Sequence, residues 1–120
     1  MLPKSYFSRD ELNCRCRCGA EPNPGFVVLL NRIREDYLSP IGVTNVMRCV
    51  KHNAEIGGAK NSSHMQGVAA DLVRTPELLA YITANLERYG LYMEDPASTP
   101  SWIHISTRTV PNCPTRIFKP

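Results

Sequence analysis

A carboxylate set inside an apolar run limits how this chain can fold more than any other feature of its sequence. Asp71 stands in Val68-Ala69-Ala70-Asp71-Leu72, and a buried charge without a partner costs several kcal/mol. The fold must therefore bring it a partner. His64 lies upstream in a polar, Gly-punctuated segment, Lys60-Asn61-Ser62-Ser63-His64-Met65-Gln66-Gly67. His104 lies downstream in Trp102-Ile103-His104-Ile105-Ser106. Two imidazoles and one carboxylate around a divalent ion give three protein ligands and one open position, the arrangement of catalytic zinc.

Strand alternation tests whether these groups can meet, because successive side chains point to opposite faces. Val68, Ala70 and Leu72 share a core face, which leaves Asp71 on the other. Ile103 and Ile105 do the same for His104, and Leu91 and Met93 for Glu94. Asp71, His104 and Glu94 thus project from one side of a sheet, with His64 on the loop leading in. Gly67 and Ala69 are expected to keep the approach to a metal open.

The other elements follow from periodicity and punctuation. Ser8 and Glu11 have capping-box spacing for a short helix. Apolar residues at 26, 29, 30, 33 and 37 mark a second helix. Val43 to Met47 reads as a strand that delivers Arg48, and Val50 to Ile56 as a helical turn. Thr75-Pro76-Glu77 opens a helix running to about Tyr89. Leu91 to Asp95 and Trp102 to Thr107 read as antiparallel partners, with Arg116-Ile117-Phe118 as an edge strand. The expected class is α+β: a small antiparallel sheet with helices packed on one face.

A chain of 120 residues is expected to be a single domain, spanning 1–120. Its net charge of +3 and pI near 8.7 suit a polyanionic partner, an anionic cell wall among them. No Lys/Arg-rich cluster points to nucleic acid, so none is expected as a partner. No apolar run approaches the ~20 residues needed to cross a bilayer, and membrane insertion is not expected. The first seven residues carry no apolar core of signal-peptide length, so the expectation is synthesis and initial retention in a cytoplasm, as a monomer. Five cysteines, an odd number, exclude a complete disulfide framework within one chain. Cys14, Cys16 and Cys18 alternate with basic residues. They read either as small buried thiols beside a turn at Gly19 or as a second metal site more tightly spaced than common structural zinc sites.

The string Ser62-x-His64-x-x-Gly67-x-Ala69-x-Asp71, followed by Trp102-x-His104, resembles the zinc D-Ala-D-Ala carboxypeptidase and endopeptidase family, which shares its fold with the hedgehog signalling domain. Arg48-x-x-x-His52-Asn53 through Asn61 resembles its small, often phage-encoded branch. The resemblance covers about Ser8 to Arg108. It implies that His64, Asp71 and His104 hold Zn2+ and that Arg48 grips a substrate carboxylate. It also implies that Ser62 orients the first ligand or the substrate; Lys60, on the same loop, is expected to help with the oxyanion. The implied substrates are peptidoglycan stem peptides, cut at D-Ala-D-Ala, at L-Ala-D-Glu or at a cross-link, as by an endolysin that reaches the wall after release or lysis. One departure stands out. Members carry a catalytic acid three residues before the last histidine or two after it, where this chain has Ser101 and Ser106. Glu94 is the first substitute by strand alternation and Asp95 the second. The alternative is a wall-binding or phage structural module that keeps zinc without catalysis.

Overall fold

Strand alternation and three well-capped helix starts organise the chain, seen in a computed structural model that describes residues 6–119. The elements are α1 (Arg9–Leu12), α2 (Pro24–Tyr37), β1 (Val43–Asn45), α3 (Val50–Glu55), a 3₁₀ turn (Ser63–Gln66), β2 (Ala69–Val73), α4 (Pro76–Ala84), α5 (Leu86–Tyr89), β3 (Tyr92–Glu94), β4 (Trp102–Ser106) and β5 (Ile117–Phe118). The strands form one sheet in the order β1-β2-β4-β3-β5. Every pair is antiparallel except β3 with β5. This is the expected α+β class.

The helices begin where side chains can satisfy their first N–H groups. The Ser8 hydroxyl accepts from the Glu11 N–H while Glu11 accepts from the Ser8 N–H, a complete capping box. Asn23 accepts from the Phe26 N–H, and Thr75 from the Leu78 N–H, each with Pro in the first turn. The helix expected to run unbroken to Tyr89 instead breaks at Asn85. The Asn85 side-chain amide donates to the Tyr81 carbonyl at 2.7 Å, taking the acceptor that a continuing helix would give to its backbone. The Asn85 N–H turns to Ile82 O instead.

Phe26, Leu30 and Ile33 of α2 and Leu78, Ile82 and Leu86 of α4 and α5 pack with Leu72, Met93, Ile103 and Ile105 of the sheet. Each such side chain contributes about 1.5–3 kcal/mol on burial. That fixes which sheet face is apolar, and so which face is left for chemistry. β1 is shorter than expected. After Asn45 the chain leaves the sheet, because the Met47 N–H finds Leu12 O and the Arg48 N–H finds His64 O. The 3₁₀ turn ends at Gly67, where φ is +70° and an added Cβ would lie 2.7 Å from the Asn23 nitrogen. Gly67 is buried against Pro22 and Asn23, so its small size serves this close backbone approach, not the open approach to a metal expected of it.

Candidate metal centre

β2 and β4 pair in a register that sets Asp71 directly opposite His104. Their side chains share the face away from the helices, and His104 Nδ1 lies 2.8 Å from Asp71 Oδ1. His64 arrives from the 3₁₀ turn with Nε2 3.2 Å from the same oxygen. Its other nitrogen, Nδ1, is 2.7 Å from the Val46 carbonyl. A carbonyl only accepts, so Nδ1 carries the hydrogen and Nε2 faces the centre, as in metal sites that fix the imidazole through an outer partner. The two rings stand edge to face, 5.1 Å apart.

One donor atom from each of His64, Asp71 and His104 lies within 4.8 Å of the others. Burial pushes the Asp71 carboxyl up, but its contacts with His104 and His64 outweigh it and hold it well below the usual carboxylate range. The group is therefore an anion ready to bind a cation. Two imidazole nitrogens and one carboxylate oxygen suit zinc, and the three residues fit it.

The loop side of the centre is built from individual hydrogen bonds. Ser62 Oγ accepts from the His64 N–H at 3.2 Å and from Arg48 Nη2 at 2.9 Å, tying ligand and guanidinium to one hydroxyl. Burial lowers the Arg48 pKa, while the negative charge of Asp71 and Cys14 works the other way. Arg48 Nε is buried with no acceptor among the described residues, a donor left over in a polar site. Lys60 is exposed in the turn ahead of the 3₁₀ segment.

The sheet side extends further. β3 pairs with β4 as Tyr92 with Ser106 and Met93 with Ile105. Continuing that register sets Glu94 level with His104. Glu94 in turn pairs with Phe118 of β5, whose ring meets the His104 ring edge to face. Asp95 is placed differently: its carboxylate accepts from the Ala97 N–H at 3.1 Å and shapes the turn after β3. Ser101 is exposed in the turn before β4, and Ser106 is buried with its hydroxyl accepting from the Arg108 N–H. A cleft of about 770 Å³ lined by Tyr6, Leu12, Pro22 and Val28 includes none of these residues. Sequence reasoning missed the Val46 carbonyl and the Phe118 ring. The first leaves no trace in side-chain identity, and the second depends on a parallel pairing that a two-residue strand does not announce.

A sheet presenting two imidazoles and a carboxylate at metal-binding distances, with a partly buried arginine beside them, is the scaffold of a metal-dependent hydrolase. Comparison with family models makes this specific: residues 5–106 match Peptidase M15, and the chain belongs to that family of metallopeptidases. No curated protein matches the chain.

Proposed function

We propose that this protein is a zinc peptidase that cuts peptidoglycan stem peptides or their cross-links, as a phage-type endolysin. The observation that carries this reading is the convergence of His64, Asp71 and His104 within 4.8 Å, on a family that hydrolyses peptide bonds. A bound zinc would supply a Lewis acid and a water acidic enough to ionise near neutral pH. Arg48 binds the substrate carboxylate, since its planar fork matches two carboxylate oxygens and its Nε–H has no acceptor among the described residues. Ser62 holds that guanidinium and the His64 backbone in one frame, which fixes where the scissile carbonyl lies. Glu94, on the same sheet row as His104, takes the proton of the attacking water and returns it to the leaving amine. Asp95 is the weaker choice because its carboxylate already serves the turn. Lys60 stabilises the developing oxyanion from the loop.

The test is release of new amino groups from purified peptidoglycan, with and without a chelator, followed by weighing the fragments of a defined muropeptide. Chelator-sensitive release at a stem-peptide bond is the expected result. No release under either condition, with zinc still bound, supports the second reading, a zinc-holding wall module. That reading rests on the serines at 101 and 106.

A further inference from the structure

A second cluster of soft ligands stands apart from the His64–Asp71–His104 centre. The chain folds back so that Cys14, Cys16 and Cys18 meet Cys49, which is more than thirty residues away in sequence, and their four sulfurs all lie within 4.8 Å of one another. Cys14 and Cys16 Sγ are 3.3 Å apart, and Cys16 and Cys49 Sγ 3.5 Å. Four thiolates around a zinc with Zn–S near 2.3 Å would have sulfur–sulfur edges of ~3.8 Å, so closure onto an ion needs only small shifts. The geometry points to a structural zinc held by Cys14, Cys16, Cys18 and Cys49.

The backbone supports this assignment. The Cys49 N–H points at Cys14 Sγ, and the His52 N–H at Cys49 Sγ, both at 3.3 Å. Such donors stabilise sulfur as thiolate. The loop is already bent for the task. The Arg17 N–H closes a turn onto Cys14 O, the Cys14 N–H bonds Ala20 O, and Arg17 takes the left-handed conformation at φ +61°. A residue with a Cβ adopts that conformation only when its surroundings impose it. Tetrahedral sulfur sets of this kind select zinc or iron–sulfur centres, and a mononuclear loop site without redox chemistry fits zinc.

The position gives the site a purpose. Cys49 follows Arg48 directly, and Arg48 is bonded to Ser62 through its guanidinium and to His64 O through its N–H. A metal there fastens the loop before α2 to the residue beside the guanidinium, making the four cysteines positioning residues for Arg48.

The experiment is a count of zinc per chain after reconstitution and desalting. Wild type should hold about two ions. The combined Cys16→Ser, Cys18→Ser variant, whose changes fall on exposed side chains, should lose one of them. His64→Ala should lose the other. Cys113→Ser, at the thiol that donates to Ile117 O, should lose neither. Cobalt-loaded protein should show the near-ultraviolet thiolate-to-metal band in wild type and His64→Ala, and not in the double cysteine variant. A double variant that keeps the full zinc count overturns the assignment. So does an intact mass showing the four cysteines paired as disulfides, or a His64→Ala protein with no zinc and no thiolate band. In the double variant KM for a carboxylate-ended peptide should rise several-fold with kcat little changed. That readout rests on the peptidase reading above, whereas the zinc count and the cobalt band stand without it.

Discussion

The two halves of the metal centre are built by different means. Asp71 and His104 are carried by adjacent strands, and their meeting follows from one register that also places Ala70 against Ile105 and Leu72 against Ile103 in the core. His64, Ser62 and Arg48 are carried by a turn and a connecting segment, and each is placed by single bonds: His64 to Val46 O, Ser62 to the His64 N–H, Arg48 to Ser62 and to His64 O. Shifting the first half would mean moving buried side chains off the sheet. Shifting the second means breaking hydrogen bonds, with no strand register to move. The strand half should therefore fail completely or not at all, whereas in the loop half only His64, itself a ligand, should do so and its supports by degrees.

The largest effect should come from the strand half. Asp71→Ala should abolish zinc at this centre and reduce peptide-bond cleavage to background, measured by metal content and amino-group release. Full activity in that variant would break the contrast at its base. Next, Glu94→Gln should retain zinc and lower kcat by about 10²–10⁴-fold, and an unchanged kcat would pass the proton-transfer role to Asp95. Ser62→Ala, in the loop half, should cost about 10–100-fold in kcat/KM, as loss of an outer partner does, with zinc still bound. A drop to background there would show that the loop is as unforgiving as the sheet. The smallest effect belongs to Gly67→Ala. Its positive φ and the nearby Asn23 backbone should lower stability by about 1–3 kcal/mol, read as a reduced denaturation midpoint.

The same contrast explains what could be read from the residues alone. Alternation over Val68 to Leu72 and Trp102 to Ser106 sorts Asp71 and His104 onto one face before any coordinates, because period two leaves no other choice once the isoleucines are inside. The helix stripes over Phe26–Ile33 and Leu78–Leu86 carry the same kind of signal. The loop half carries none. Nothing in Cys49 distinguishes it as a partner of Cys14, and Gly67 reads as a clearance for metal when it is a clearance for Pro22 and Asn23. The break at Asn85 was equally hidden, since it turns on a side chain reaching back to Tyr81 O rather than on any loss of apolar period. The Ser62-to-Asp71 string was legible as a resemblance, and the match of residues 5–106 to Peptidase M15 bears it out.

One carboxylate oxygen, Asp71 Oδ1, touches both imidazoles. Both imidazoles therefore share a single anchor, and removing it takes that contact from the two rings together. Losing either histidine leaves the other ring its contact with that oxygen, so the three ligands are not equivalent and the aspartate is the common one.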